Sequence, residues 1–288
     1  MLNTYNKTPL TLDQIAQIAP AVFTQHAAPE TSNKYGFVST LDAITILGDY
    51  GFAPFAAHQT QSRKRGGMPY ADHMLRFRNL QAFSHDGRNV PELIIINGHS
   101  GKKALTIGTG IFRFACANGL LVADKGQQAK LRHTHLTAAG FEDLIKQQAK
   151  DLPLVMDRID AMERQTLTNG QALDFAYNAA NLRWEMIDEN KTNLWQDGVK
   201  SGSYAVKGYS VPELLNVHRP ADKEQTLYNV FNRCQEKLIR GGLPVLSVNA
   251  DQRKVKWRKA AGINAIKENV RLNKSLWDLA EWHLGAAA

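Results

Sequence analysis

Apolar and polar positions alternate from Phe52 to about Arg113, and from Thr137 onward apolar positions recur at helical spacing. The alternation predicts strands over 52–61 and 70–80. In the second, Leu75 and Phe77 share one face and Arg76 and Arg78 the other. Pro91 opens a third strand through the apolar run Glu92 to Asn97. The stretch Lys102 to Leu120 begins as a fourth, with Leu105, Ile107, Thr109 and Ile111 on one face. Gly108 and Gly110 within it leave room for a bulge or a close backbone approach. Short loops between these strands imply an antiparallel sheet. Ala129 to His135 is a candidate last strand with Lys130, Arg132 and Thr134 on one face.

Helical signals flank this block. Leu10 to Thr24 reads as an opening helix with Thr11 as N-cap and Gln14 in the capping-box position, ended or kinked by Pro20. Tyr35 to Thr40 is a candidate short strand, and Leu41 to Asp49 a helix closed by Tyr50-Gly51. After Thr137, Phe141, Leu144, Ile145, Leu152, Val155, Ile159 and Met162 predict one long helix, or two broken near Pro153. Further helices are predicted over 172–184, over 222–239 with Gly241-Gly242 as a stop, and over 264–283; residues 189–209 read as an exposed loop. The fold class is therefore α+β: a central antiparallel sheet of about four to six strands with helices packed on it and a helical C-terminal half. Three regions are expected, an N-terminal helix and loop over 1–34, an α+β core over 35–243, and a basic extension with a closing helix over 244–288.

Composition narrows the function classes. The chain has 288 residues, 43% of them hydrophobic, ample for a sizeable core. No apolar run approaches the roughly 18–20 residues that span a bilayer, and the first residues lack the pattern of a secretory signal. Two cysteines, Cys116 and Cys234, make no disulfide framework. A cytoplasmic protein with no membrane partner is expected. The net charge of +8 and a pI near 9.4 favour polyanionic partners.

The distribution of charge says more than its total. Arg63, Lys64 and Arg65 fall on a glycine-containing turn, followed by Arg76 and Arg78. Near the end of the chain Arg253, Lys254, Lys256, Arg258 and Lys259 interleave with Val255 and Trp257. If that piece is extended, Lys254, Lys256 and Arg258 share one face, and Val255 and Trp257 the other. Cations for phosphates beside an aromatic platform are what single-stranded nucleic acid needs, with stacking contributing about 1–3 kcal/mol per base. Catalytic chemistry has weaker signals. His133 and His135 would share a strand face at a metal-compatible spacing, but no CxxC, HExxH or carboxylate cluster accompanies them. Cys116 has no visible activating partner, and the glycines of residues 108–119 match neither a Walker loop nor a dinucleotide fingerprint. No cofactor and no metal are expected, and the balance leans away from an enzyme.

Two pieces carry a resemblance. Arg113, Cys116, Asn118 and Gly119 form an Arg-x-x-Cys-x-Asn-Gly core, and Leu227, Tyr228, Asn229, Asn232 and Glu236 a Leu-[Trp/Tyr]-Asn-x-x-Asn-x-x-x-Glu helix. Both are similar to the family called domain of unknown function 932, and the resemblance covers most of residues 35–243. It brings no assigned activity. It implies a setting in plasmids, prophages and phages, near genes of DNA maintenance and recombination. The element order also resembles the core of Rad52-like single-strand annealing proteins, a fold-level analogy. The leading expectation is sequence-tolerant binding of DNA, preferably single-stranded, in recombination or strand annealing, in a possible homo-oligomer. Arg63, Lys64, Arg65, Arg76, Arg78, Lys130, Arg132, Lys254, Lys256 and Arg258 would contact phosphates, with Trp257 stacking on a base. Arg113, with Cys116, Asn118 and Gly119, would brace a sheet-to-helix junction. The rivals are a protein-interaction module that inhibits a host defence enzyme, and a metal-dependent enzyme using His133 and His135.

Overall fold

The computed structural model describes residues 8–61, 68–79, 89–102, 105–113, 119–121, 129–131, 138–187, 204–249 and 254–285. It divides into two units, one of Met1–Asp157 with Asn264–Lys267, the other of Arg158–Ile263 with Glu268–Ala288. That division differs from the expected boundaries near residues 34 and 243. The N-terminal residues do not stand apart, because Leu10, Ile15 and Val22 belong to the same apolar cluster as the sheet.

The first unit opens with α1 (Leu12–Ile18), held by the reciprocal Thr11–Gln14 capping box, and continues through α2 (Thr40–Asp49), capped by the Ser39 hydroxyl. Tyr35 to Thr40 is not a strand; Thr40 already lies in α2. The sheet consists of β1 (Phe52–Gln59), β2 (His73–Asn79), β3 (Asn89–Asn97), β4 (Leu105–Arg113), β5 (Gly119–Leu121) and β6 (Ala129–Leu131). The order is β1-β2-β3-β4, with β5 and β6 pairing with different segments of β4, and every pairing is antiparallel. The helix α3 (Ala138–Arg164) follows and runs unbroken through Pro153. Pro153 and Leu154 are exposed, so the N–H that proline lacks is missing on the wet side of the helix.

One face of this sheet makes the core. Leu75, Phe77, Leu93, Ile95, Leu105 and Ile107 cluster with Ile15 of α1, Ala43 and Leu47 of α2, and Phe141 and Ile145 of α3. Each fully buried Leu, Ile or Phe there contributes about 1.5–3 kcal/mol. At the end of the sheet, Thr40, His73 and Asn97 are buried together: Asn97 Nδ2 donates to Thr40 Oγ1 at 2.9 Å, and Thr40 Oγ1 lies 2.8 Å from His73 Nε2.

The second unit contains α4 (Asn169–Asn181), with a Thr168–Gln171 capping box, then β7 (Glu185–Ile187), β8 (Tyr204–Lys207), α5 (Leu227–Arg240), β9 (Pro244–Asn249), β10 (Lys254–Lys259) and α6 (Ile266–Gly285). The four strands form a second sheet in the order β10-β9-β8-β7. The β7–β8 pair is parallel and the other pairs antiparallel. A second sheet was not expected; part of it lies in the segment read as an exposed loop. No helix among the described residues is long and apolar enough to cross a membrane.

Candidate nucleic-acid interface

The extended basic piece near the end of the chain is β10, at the end of the second sheet. Lys254 pairs with Asn249, Lys256 with Ser247, Trp257 with Leu246, Arg258 with Val245 and Lys259 with Pro244. Val245 and Leu246 of β9 are buried on opposite faces of the sheet, yet Lys256, Trp257, Arg258 and Lys259 beside them are all exposed. Trp257 is 49% exposed, unusual for so large an apolar ring. Strand alternation sends Lys256 and Arg258 to one face and Trp257 to the other, as the sequence predicts. Residues two apart on one face are about 6.8 Å apart, from the strand rise of about 3.4 Å.

The end of α5 is built against the end of β10. Gly241 has φ +81 and Gly242 φ +95, and the Gly242 N–H donates to Ala260 O at 2.8 Å. A Cβ at Gly241 would meet Ala260 O at 2.1 Å, so only glycine lets these backbones approach so closely. The Ile263 N–H then donates to Ile239 O at 2.8 Å. The Arg183 guanidinium donates to Leu238 O and, at 2.5 Å, to Ala261 O, tying both segments to the end of α4. Lys237 and Arg240 occupy the last turn of α5. Sequence reasoning passed over these two, because residues so far along the chain from β10 are brought beside it only by the glycine turn.

Arg76 and Arg78 do not belong to this surface, which corrects the expectation that they contact phosphates. They lie on the predicted face of β2, but both are buried, with Glu92 between them. Arg76 Nε donates to Glu92 Oε2 at 2.5 Å and Arg78 Nε to Glu92 Oε1 at 2.8 Å. Arg76 also reaches Ile111 O on β4 at 3.3 Å, beside Gly110, which faces Glu92 across the ladder. The Arg78 guanidinium stacks over the Phe55 ring at 4.6 Å. Burial lowers the Arg78 pKa from its ordinary value while the Glu92 carboxylate works to raise it. Glu92 offsets one of the two positive charges, and at 3% exposure neither guanidinium is presented to a phosphate in solvent.

The remaining expected residues divide as follows. Arg63, Lys64, Arg65, Cys116, Asn118, Arg132, His133 and His135 lie outside the described residues. Lys130 is in β6, paired with Thr106. Arg113 ends β4 and is buried opposite Asn89, while Gly119 opens β5 opposite Phe112. The next described element after β4 is the strand β5. Among the described residues no group of three or more His, Cys, Asp or Glu side chains could hold a metal ion. Cys234 is fully buried, and burial pushes its thiol up to about 12, far from a reactive thiolate.

Residues 29–277 match the family described as Domain of unknown function (DUF932). The chain belongs to this family. It is 28% identical over 277 residues to UPF0380 protein YafZ of Escherichia coli (strain K12), covering 95% of this chain and 91% of that protein. It is also 26% identical over 273 residues to UPF0380 protein YfjQ of the same strain, with the same coverage. No solved structure matches. The family helix motif is α5, and of its polar residues Asn229 and Glu236 hold the segment before it while Asn232 bonds back within the helix. Asn229 Nδ2 donates to Glu224 O at 3.1 Å, and Asn232 Nδ2 to Tyr228 O at 2.7 Å. Glu236 accepts both Arg219 Nη atoms, Nη2 at 2.6 Å. Between these, Arg233 donates to the carbonyls of Asp222 (Nε at 2.9 Å) and Glu224 (2.8 Å). In this member of the DUF932 family the motif helix is a structural clasp.

Proposed function

We propose that this chain binds single-stranded DNA with little sequence preference along β10, as a nucleic-acid-binding protein of recombination or strand annealing. What carries the reading is the run Lys256, Trp257, Arg258 and Lys259, all exposed on a strand at the end of its sheet. Cations on one face and an indole on the other suit a single strand crossing the edge, with phosphates on the side of Lys256 and Arg258 and a base against Trp257. A duplex keeps its bases paired inside and cannot offer one to the indole. The net charge of +8 adds long-range attraction to any polyanion.

The test is fluorescence anisotropy of labelled single-stranded and duplex oligonucleotides across a salt series. The wild type is expected to prefer the single strand. The Lys256→Gln/Arg258→Gln double variant is expected to lower the salt slope by about 1.4, at roughly 0.7 per single-strand phosphate contact. Trp257→Ala is expected to weaken binding by about 1–3 kcal/mol with the slope unchanged. Equal affinity for duplex, or a folded double variant with the wild-type slope, would sink the assignment to β10.

A further inference from the structure

Two further cations stand at the end of the same edge. Lys237 and Arg240 are three apart on α5 and share a helix face. The backbone of Ala260–Ile263 lies across the end of that helix, held by the Gly242–Ala260 and Ile263–Ile239 hydrogen bonds. Lys259, the last residue of β10, pairs with Pro244 and precedes Ala260, whose backbone meets the Gly241-Gly242 turn that follows Arg240. The Arg240 side chain is 46% exposed, and its contact with Glu236 is long, at 3.5 Å. Glu236 already accepts two hydrogen bonds from Arg219, so its charge is shared between two guanidiniums. The ordinary role of cations in a last helical turn is to complement the helix dipole, a contribution of about 0.3–1 kcal/mol. That role does not require the end of β10, with Arg258 on one face and Lys259 on the other, to be held against the same helix end by the close approach of Gly241 to Ala260.

We infer that Lys237 and Arg240 continue the β10 track, so that a polynucleotide backbone leaving the C-terminal end of β10 runs on over the last turn of α5. The ligand class is the phosphodiester backbone of single-stranded nucleic acid. This rests on the reading of β10 above and adds a second contact segment to it. A strand long enough to cover both gains contacts that a strand covering β10 alone lacks.

The experiment compares wild type, Lys256→Gln/Arg258→Gln and Lys237→Gln/Arg240→Gln on a short and a long single-stranded oligothymidylate, with folding checked by thermal melts. The α5 variant is expected to lower the salt slope on the long oligonucleotide by about 1.4 and to leave the slope on the short one unchanged. A Lys237→Arg/Arg240→Lys variant is expected to retain the wild-type slope on both. An α5 variant with the wild-type slope on the long strand, while the β10 variant loses slope, overturns this inference alone. Absence of wild-type binding at low salt overturns the β10 reading and the inference with it.

Discussion

His73 shows how far a single proton can be placed by its neighbours. Its Nδ1 lies 2.9 Å from Ala71 O, and a carbonyl only accepts, so Nδ1 carries the hydrogen. Nε2 is then bare and accepts from the Thr40 hydroxyl, whose oxygen in turn accepts from Asn97. A proton on Nε2 would reverse the first of these bonds. Burial lowers the His73 pKa to about 4, with the Ala71 carbonyl opposing. The unfolded chain, with a pKa near 6.5, takes up that proton first, so stability is full above about pH 6.5 and falls as the pH drops toward 4. The loss is about 3 kcal/mol by pH 4. Urea midpoints at pH 7 and pH 4.5 are expected to differ less in His73→Gln than in wild type. An identical difference in both proteins would remove His73 as the source. Arg76 and Arg78 teach the reverse lesson at this scale. Alternation put them on the right face, but a period of two says nothing about whether that face is wet. The available signal was Glu92, a carboxylate opening an otherwise apolar run.

Among the elements, those with local signals were legible. Thr11 with Gln14 marked the start of α1, and Gly241-Gly242 marked the end of α5. The four long strands β1 to β4 of the first sheet were legible, through alternation in β2 and β4 and a bounded apolar run in β3, whereas the three-residue β5 was not. The second sheet was not, since β7 and β8 are three and four residues long and pair with strands distant in sequence. Too few residues alternate to set a period, and partners are chosen by tertiary packing. The two glycines after α5 are not equivalent. Gly242→Ala meets nothing within 4 Å and is expected to lose only the left-handed backbone cost of about 1–2 kcal/mol. Gly241→Ala adds a collision with Ala260 O and Ala261 and is expected to cost clearly more, because neither contact is the end of a flexible side chain. Chemical denaturation of the two variants checks this, and equal losses would mean that the approach of β10 to α5 is soft.

Over the whole molecule, net charge proved a coarse guide to where a polyanion could sit. Among the described residues four arginines, Arg76, Arg78, Arg113 and Arg233, are buried, against two carboxylates, Glu92 and Asp222. Part of the excess that makes the chain basic is therefore internal and serves packing, with Arg233 satisfying carbonyls and Arg76 and Arg78 sharing Glu92. Among the described residues, Arg76 and Arg78 drop out of the expected surface, while Lys256, Trp257 and Arg258 on β10 stay exposed. Sequence alone could rank basic segments by density, but density does not distinguish a guanidinium facing water from one sealed under a sheet.

The place of β10 at the end of its sheet has a consequence for the protein's solubility. An outer strand exposes a row of backbone donors and acceptors that another chain can join, and lysines and arginines along it discourage such pairing by repulsion. Lys256, Arg258 and Lys259 are therefore expected to disfavour pairing of two such edges. Neutralising all three is expected to lower the concentration at which the protein self-associates, as light scattering would register, whereas charge-retaining Lys256→Arg/Lys259→Arg would leave it unchanged. A polyanion laid along the strand would cancel the same repulsion, so crowding on a shared polynucleotide is where two such edges would first be free to meet.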